Sequence, residues 1–362
     1  MHLLFDVSAH GLGHLAQAAP VINALAARHT DLQLTIRSAL SHAQIARRVM
    51  ADFRHVAEAR DFGFVMHNAV DIDLQSSARV YREFHANWQE RILQEAQWLD
   101  QNGIDAVVTN VAYLPLAAAA KLGLPAASMC SLNWADLFWH YFAPEPWAAA
   151  IHRQMLSAYL DADCFLRLTP GLPMHEFHHA HPIGPIAHIG SRRRVELSHS
   201  LGIDTRHRWI LLAMGGMDFP IPVQSWTPVP SITWLVPRDW SVHRPDVVSF
   251  EDSGLDFSDI LASVDAVVTK PGYGTFVEAA CSGLPLLYVQ RADWPETTHF
   301  AKWLGVHARS AEISREQLSA GNFLDAVQRL WQMAQPPIPK ASGVAEALHH
   351  LSDALRLDKK KH

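Results

Sequence analysis

The stretch TKPGYGTFVEAACSGLP, residues 269–285, combines residue types that bind phosphate. Gly272 and Gly274 tolerate unusual backbone torsions and let a ligand approach the chain closely. The turn follows an apolar segment that is typical of a buried parallel strand, and Thr275 and Glu278 have the spacing of a helix-capping box. A helix that begins here presents unbonded N–H groups and a positive dipole end to an anion. We interpret the turn as the diphosphate cradle of a nucleotide-sugar site; the alternative is an ordinary strand–loop–helix connection in which Glu278 only caps the helix.

A second candidate loop, His10-Gly11-Leu12-Gly13-His14, follows the first apolar segment of the chain. Its glycines let the loop run close to a ligand. His14 stands where a helical pattern begins, and the positive end of a helix dipole disfavours imidazolium. A neutral imidazole of this kind can take a proton from an acceptor hydroxyl. The alternative is a histidine that only caps the helix or packs in the loop, and the spacing favours neither.

The same loop also fits the dinucleotide fingerprint G-x-G-x-x-A through Gly11, Gly13 and Ala16. NAD-binding proteins carry an acid after the second strand, where this chain has Arg37 and Ser38. An arginine there suits the 2′-phosphate of NADP, so an NADP-dependent oxidoreductase is one alternative. A second phosphate-binding loop in the other half of the chain argues against an oxidoreductase, because a dinucleotide-binding protein does not need one.

Residues 175–179, HEFHH, match the zinc motif H-E-x-x-H. That motif needs a sustained helix and a third ligand, whereas Pro173 and Pro182 leave room for about two helical turns. We expect no metal site here. The sequence also lacks the G-x-x-x-x-G-K-[ST] motif of P-loop kinases.

Two further candidate loops follow predicted strands of the second half. Gly215 and Gly216 end the segment 209–214, and Asp293 and Glu296 follow the strand after the glycine-rich turn. Open parallel sheets bind ligands at the carboxyl ends of their strands, so these loops are expected near the same ligand. The two carboxylates either hold sugar hydroxyls or only begin the next helix.

Alternating strand and helix patterns position these loops. The first half predicts strands at 3–7, 32–36, 106–109, 126–129 and 164–168, with helices at 14–27, 78–100, 113–122 and 147–160. The second half predicts strands at 209–214, 232–236, 247–250, 266–268 and 286–289, with helices at 256–262, 275–282, 296–304, 322–334 and 343–356. Prolines and an arginine run mark a linker near 183–194. The pattern predicts an α/β protein with two Rossmann-like parallel-sheet domains facing across a cleft. We place the first domain at 1–188, the second at 189–342, and a C-terminal helix and tail, 343–362, back on the first domain.

The composition excludes several classes of protein. The 362 residues carry a net charge of −6, and 49% are hydrophobic, so two cores are expected and a nucleic-acid surface is not. The three cysteines are widely spaced in apolar runs, as in a reducing compartment. No apolar run is long enough for a transmembrane helix, and no basic region opens the chain. A cytoplasmic location is therefore expected.

Four stretches together resemble a known family: DVSAHGLGHLAQAA (6–19), DAVVTNVAYLPLAAAAKLGLP (105–125), SLNWADLFWHYF (131–142) and SVDAVVTKPGYGTFVEAACSGLPLLYVQRADWPE (263–296). They follow the order found in two-domain GT-B glycosyltransferases of the MurG-like type. The chain is also similar to the glycosyltransferase-like N-terminal domain of plant L-arabinokinase. The sequence stops where the kinase domain of that protein would begin, so no sugar-kinase activity is expected.

This resemblance implies a role for each candidate residue. The glycine pair Gly215-Gly216 contacts the diphosphate, Glu278 holds the ribose hydroxyls, and the nucleotide base lies beside Phe250. His14 faces the reaction centre as the base. The donor site is expected to comprise Gly11, Gly13, Gly215, Gly216, Phe250, Lys270, Gly272, Tyr273, Gly274, Thr275, Glu278, Asp293 and Glu296. The acceptor site is expected to include His10, Asn133 and Trp134.

One position departs from the family pattern. Related plant transferases orient the histidine with an aspartate after the fourth strand, where this chain has Asn110. An amide accepts a hydrogen bond but stabilises imidazolium less than a carboxylate does, so either catalysis is modest or Asp136 supplies the charge. The expected function is an inverting, metal-independent glycosyltransferase that uses a nucleotide-diphosphate sugar such as a UDP-sugar and no further cofactor. The main alternative is a non-catalytic nucleotide-sugar-binding module.

Overall fold

The computed structural model describes residues 1–68, 70–215, 221–289, 291 and 293–357. The chain forms two compact α/β units, each built on its own parallel sheet. Unit 1 comprises Met1–His67, Ile72–Ile186 and Ala341–His362, and unit 2 comprises Asn68–Asp71 and Ala187–Lys340. The candidate donor residue Gly216 lies outside the described residues.

Unit 1 is built on a seven-stranded parallel sheet. Its strands are β1 (His2–Val7), β2 (Gln33–Arg37), β3 (Arg54–Val56), β4 (Ala106–Asn110), β5 (Ala126–Cys130), β6 (Cys164–Leu168) and β7 (Ala180–Ile183). They lie in the order β3-β2-β1-β4-β5-β6-β7. The direction of winding reverses between β1 and β4, and open sheets bind ligands beyond the carboxyl ends of the strands at such a point.

In the described part of this segment, seven helices connect these strands. They are α1 (Leu12–Arg28), α2 (His42–Ala46), α3 (Leu74–Ala86), α4 (Trp88–Gln101), α5 (Leu114–Leu122), α6 (Trp134–Phe142) and α7 (Ala148–Leu160). The strands β1, β4 and β5 are buried along almost their whole length. That burial explains why they are nearly continuous apolar runs in the sequence.

Unit 2 repeats the architecture with a six-stranded parallel sheet. Its strands are β8 (Arg208–Ala213), β9 (Ile232–Val236), β10 (Val247–Ser249), β11 (Ala266–Thr269), β12 (Leu286–Val289) and β13 (Ser310–Ile313), in the order β10-β9-β8-β11-β12-β13. Its helices are α8 (Arg194–Leu201), α9 (Phe257–Ser263), α10 (Tyr273–Cys281), α11 (Pro295–His307), α12 (Arg315–Ala320) and α13 (Leu324–Gln332). Here the winding reverses between β8 and β11, so the loops after these two strands meet at one edge of the sheet.

The last helix of the described chain, α14 (Gly343–Ala354), belongs to unit 1. It packs on α1 and on the strands β5 to β7. The Gly184 amide donates to Glu346 Oε2 at 2.7 Å, and the imidazoles of His181 and His350 stack with centroids 4.5 Å apart. In the part of the chain that the structure describes, none of the helices is both long and apolar enough to span a bilayer.

The structure corrects three predictions of local structure. The single helix predicted at 78–100 is two helices, α3 and α4, separated by Asn87 with φ −115° and ψ 41°. The buried residues of α3 and α4 keep the same helical spacing on both sides of Asn87, so the hydrophobic periodicity of the sequence does not reveal the break. Thr275 and Glu278 do not form a capping box, because α10 begins two residues earlier and has Gly272 as its N-cap without a side-chain cap. Three further strands, β3, β7 and β13, were not predicted; they are short and partly exposed.

Candidate functional site

His14 lies at the winding reversal of unit 1, in the first turn of α1. The N-cap is Gly11, whose φ of +98° is a conformation that a side chain rarely allows. His14 is the third helical residue and is only 5% exposed, so it lies near the positive end of the helix dipole. Backbone pairing joins the start of this loop to the end of β4, because the Ser8 amide donates to the Asn110 carbonyl at 2.7 Å.

A chain of buried side chains fixes the orientation of the His14 ring. The Asn110 amide nitrogen donates to Gln17 Oε1 at 3.0 Å, and Gln17 Nε2 donates to Ser131 Oγ at 2.9 Å. The Asn110 oxygen therefore faces His14 Nδ1, at 2.7 Å, and accepts its hydrogen. With the proton on Nδ1, the neutral imidazole carries its lone pair on Nε2. Sequence reasoning had singled out Asn110 but not Gln17 or Ser131.

Trp134 joins the two loop histidines. Its ring is fully buried and lies 5.3 Å from the His10 ring and 5.7 Å from the His14 ring, centroid to centroid. His10 Nε2 is 3.2 Å from the Phe64 carbonyl, to which it donates. We call His10, His14, Asn110 and Trp134 the His14 cluster. The structure thus brings together four of the residues that were singled out in the sequence of this unit.

A carboxyl group that sequence reasoning missed, Asp61, also reaches this cluster. Trp134 Nε1 donates to Asp61 Oδ2 at 2.7 Å, and the Ser8 hydroxyl is a second donor. Burial, and next the neighbouring carboxylate of Asp6, raise the pKa of Asp61 to about 7. No motif surrounds Asp61, so only the close contact made by the tertiary fold reveals it.

Asn133 and Asp136 form the N-terminal cap of α6. Asn133 is the N-cap, and its side chain accepts from the Asp136 amide at 2.7 Å and donates to Asp136 Oδ2 at 2.8 Å. Burial raises the pKa of Asp136, while its hydrogen bond with Asn133 acts in the opposite direction. The structure therefore pairs Asp136 with Asn133, whereas His14 is paired with Asn110.

The candidate donor residues of unit 2 gather where β8 and β11 end. Gly215 has φ +78°, and a Cβ there would lie 3.0 Å from Lys270 Cε. Burial, and then the charge of Arg291, lower the pKa of Lys270 to about 8. Gly272 is the N-cap of α10, and a Cβ on it would lie 3.9 Å from Lys270 Nζ. A cation thus lies beside two glycines and a helix N-terminus, an arrangement that suits an anion.

The other donor candidates occupy the same helix or the neighbouring strands. Tyr273, Gly274 and Thr275 form the first turn of α10, and Glu278 lies in the next turn, 2% exposed. Phe250 begins a short 3-10 helix after β10, and its ring lies 6.0 Å from that of Phe257.

Asp293, before α11, and Glu296, in its first turn, do not cap that helix. Its N-cap is Trp294, without a side-chain cap, while Asp293 is exposed. Glu296 is buried and accepts from Trp294 Nε1 at 3.2 Å, and the Arg291 guanidinium lies 4.0 Å from the Trp294 ring centroid. The capping interpretation of Asp293 and Glu296 is therefore wrong. Arg291 is a second cation of this region that sequence reasoning missed.

The structure does not support the two alternative motifs, the H-E-x-x-H zinc motif and the NADP-binding fingerprint. Residues 175–179 form turns and irregular chain, so the histidines of HEFHH do not share a helix face. Among the described residues no group of three or more His, Cys, Asp or Glu side chains could hold a metal ion. Arg37 is buried, with its guanidinium bound to Asp6 at 2.6 Å and to Glu95, so it is not available for the 2′-phosphate of NADP.

Comparisons with known proteins place the chain by its fold. No family model matches it. The chain is 24% identical over 351 residues to L-arabinokinase of Arabidopsis thaliana. The alignment covers 91% of this chain and 32% of that protein, so the chain spans about a third of the length of that relative. The glycosyltransferase of kitacinnamycin superposes with a TM-score of 0.60 at 17% identity, covering 98% of this chain and 94% of that one. Spinosyn rhamnosyltransferase complexed with thymidine diphosphate gives 0.58 at 16% identity, over 98% and 96% of the two chains. The fold is that of GT-B glycosyltransferases, with two Rossmann-like parallel-sheet units.

Proposed function

We propose that the protein is an inverting, metal-independent glycosyltransferase that moves a sugar from a nucleotide-diphosphate sugar to an acceptor hydroxyl. The observation that carries the proposal is the pairing of His14 Nδ1 with Asn110, which leaves Nε2 as the basic nitrogen. The position of His14 near a helix N-terminus keeps the imidazole neutral and able to accept a proton. The GT-B fold supports the substrate class by analogy, since one fold hosts many reactions.

The reaction is a single displacement. His14 Nε2 takes the proton of the acceptor hydroxyl while its oxygen attacks the anomeric carbon from the face opposite the diphosphate. The new carbon–oxygen bond forms as the bond to the diphosphate oxygen breaks, and the electron pair leaves with the nucleoside diphosphate. One displacement inverts the anomeric centre, and His14 ends as imidazolium.

Unit 2 stabilises the leaving group in this proposal. We propose that backbone N–H groups at Gly215 and Gly272 bind the diphosphate. Lys270 lies beside both glycines and adds positive charge, and the charge of Arg291 acts on Lys270. Fixed cations and amide dipoles of this kind can neutralise a departing diphosphate, which is the role that a divalent ion has in other transferases. The co-substrate is the nucleotide sugar, without a further cofactor.

The test has a binding step and a turnover step. Thermal-shift and calorimetric titrations with UDP, TDP and GDP identify the nucleotide, and release of that nucleotide from its glucose and N-acetylglucosamine derivatives is then followed with an acceptor panel and with water. His14→Gln should lower turnover by about 10²–10⁴-fold with little change in nucleotide affinity. His349→Gln is the control, because His349 is 74% exposed. Equal turnover by wild type and His14→Gln would refute the role of His14 as the base.

The neutral partner of His14 favours one rival function, a non-catalytic nucleotide-sugar sensor. Asn110 accepts the Nδ1 hydrogen but brings no negative charge to the imidazolium that catalysis would form. Tight binding of a nucleotide sugar, together with no nucleotide release from any donor or acceptor in the panel, would support the sensor and contradict the transferase.

We also infer a cytoplasmic location. Cys130, Cys164 and Cys281 are buried thiols, as is usual in a reducing compartment. Burial raises the pKa of the Cys164 and Cys281 thiols, to about 12 and about 11, so these two are inert at neutral pH. Fractionation of the expressing cells tests this location.

A further inference from the structure

Unit 1 contains a groove of about 760 Å³ that the reaction proposed above does not use. It is lined by the first part of α3 and by the end of α6 together with the segment that leads into α7. α3 contributes Arg79 and Arg82, and the other side contributes Tyr141, Glu145 and Trp147. These lining residues all belong to unit 1. The volume of the groove is in the range of sites that bind small organic molecules.

The aromatic residues of the groove are held in position by neighbouring rings. The Trp147 ring lies 5.4 Å from that of Phe142 and 5.9 Å from that of Phe138. The Tyr141 ring lies 5.1 Å from that of Phe64. These three phenylalanines are buried, whereas Tyr141 and Trp147 are half-buried. Partly exposed aromatic rings that are fixed in this way can stack on the ring of a ligand at little conformational cost.

Two arginines bring positive charge to the groove. Arg79 and Arg82 are three residues apart on α3, so their side chains project from the same face of the helix. Both are exposed, and within the described part of the chain neither of them forms an ion pair. The Arg82 guanidinium lies 5.9 Å from the Trp147 ring centroid, so a cation and an aromatic surface occur side by side. Such a pair suits a ligand that combines an acid with an aromatic ring.

The charge balance indicates which acid fits. Glu145 is the acidic residue of the lining, so the two arginines exceed it by one positive charge. Asp73, which precedes α3, caps that helix by accepting from the Ser76 amide at 2.9 Å. A single surplus charge favours a carboxylate over a phosphate monoester, which carries up to two negative charges. The planar guanidinium also matches the two oxygens of a carboxylate.

The groove and the His14 cluster share one set of packed rings. Phe64, which contacts Tyr141, lies 6.2 Å from the Trp134 ring, centroid to centroid. Trp134 in turn lies beside the ring of His14. Phe64 and Trp134 therefore connect the lining of the groove to the base of the proposed reaction, within the same unit.

We propose that this groove binds the acid end of the acceptor, and that the acceptor is a hydroxylated aromatic carboxylic acid. Its carboxylate binds Arg79 and Arg82, and its ring stacks on Trp147. The hydroxyl at the other end of the molecule is the group from which His14 takes the proton. This assignment names the acceptor class of the transferase and therefore rests on the function proposed above.

Binding can be measured without a nucleotide sugar, so its failure is distinguishable from failure of the transferase function. Calorimetric titration compares para-hydroxybenzoate and para-hydroxycinnamate with their neutral amides. We expect each acid to bind about tenfold more tightly than its amide, because two charge-assisted contacts are made by the acid alone. The advantage should shrink as salt is added, since exposed charges are screened. Acids that bind no more tightly than their amides would overturn the proposal.

Substitutions in the groove assign the effect to its residues. Arg79→Gln and Arg82→Gln should each weaken binding of the acids about three- to fivefold, with less effect on the amides. Glu145→Gln should tighten binding of the acids about twofold, because a like charge is removed. Arg153→Gln is the control, since Arg153 is an exposed arginine of α7 outside the lining, and it should change nothing. An equal loss in the control and in the groove variants would also overturn the proposal. The comparison of acids with amides uses the wild type and needs no variant to fold.

Once a donor is identified, kinetics test the acceptor role itself. Arg79→Gln should raise KM for the acids about three- to fivefold with kcat within about twofold, because the arginine acts in binding. Equal kcat/KM for acids and amides would overturn the acceptor class and leave the transferase function standing. Binding of the acids that depends on both arginines, without turnover of any donor, would overturn the role of the groove as an acceptor site.

Discussion

Replacing Asp61 by asparagine should stabilise the protein at alkaline pH. Asparagine has nearly the same shape, and its side-chain oxygen can still accept the hydrogen of Trp134 Nε1. What it removes is a charge that burial and the carboxylate of Asp6 make unfavourable in the folded state. The variant therefore isolates the cost of holding that charge.

The sign and the size follow from proton linkage. The pKa of Asp61 is raised from 3.8 to about 7 on folding, so its contribution to stability is fully present below pH 4 and is lost as the pH rises through 7. A difference of about three pH units corresponds to at most about 4 kcal/mol. Asp61 is partly exposed, and water reduces this penalty, so we expect a gain of about 2 kcal/mol for Asp61→Asn at pH 8. The gain should disappear at pH 4, where the wild-type carboxyl group is also neutral.

Urea unfolding of wild type and Asp61→Asn at pH 4, 6 and 8 measures the effect, and scanning calorimetry gives a second value. A gain of about 2 kcal/mol corresponds to a rise of about 4–8 °C in the melting temperature of a unit of this size. Asp31→Asn, on the exposed surface, should show no pH-dependent gain. An Asp61→Asn variant that is no more stable at pH 8 than at pH 4, relative to wild type, would refute the raised pKa and the reasoning built on it.

Three further substitutions test other parts of the structure. Arg37→Met should cost about 3–5 kcal/mol in urea unfolding, because it leaves the buried carboxylate of Asp6 without its partner and removes one of the two arginines bound to Glu95. Gly63→Ala should cost about 2–4 kcal/mol and alter the near-ultraviolet circular dichroism, since its Cβ would overlap two rings of the His14 cluster. Lys270→Gln should weaken UDP binding about tenfold at pH 7 by calorimetry, and wild-type affinity should fall as the pH rises through about 8, where Lys270 loses its proton.

Each of these has a matched control. Arg206→Met removes an arginine that is 88% exposed and should change stability by less than about 0.5 kcal/mol. Gly103→Ala shares the positive φ, +62°, but has open space around the new Cβ, so it should cost only about 1 kcal/mol. Lys121→Gln, on α5, should leave UDP binding and its pH dependence unchanged. If a substitution and its control have equal effects, the contact that distinguishes the two residues does not contribute as we expect.

The sequence predicts the sheets well because buried parallel strands are apolar along their whole length. Leu3, Val107 and Val268 are fully buried, and each lies in a strand that composition alone identifies. Short strands with half-exposed residues, such as β13, give no such signal. Helix ends are also hard to place, because the residues around Asn87 keep one hydrophobic spacing through a break in the backbone.

The sequence predicts the site residues that lie in loops directly after strands. Glycine loops after strands locate His14 and Gly272, since strand ends in a parallel sheet meet at one edge. Asp61 and Gln17 have no motif, because their importance arises from contacts with Trp134 and Asn110 that only the tertiary fold creates. Charge states are equally hidden, since the pKa of Lys270 depends on its burial and on Arg291. The roles assigned to the site residues remain predictions.

The placement of α14 has a consequence for synthesis on the ribosome. Most of unit 2 is one uninterrupted segment, Ala187–Lys340, whereas unit 1 needs Ala341–His362 to complete it. Ala347, Leu351 and Leu355 are fully buried. The apolar surface of unit 1 that they contact therefore stays exposed while Ala187–Lys340 is being translated. The segment Ala341–His362 thus completes unit 1 only after most of unit 2 has been made, and the nascent N-terminal part carries an apolar surface that chaperones can hold until that segment emerges.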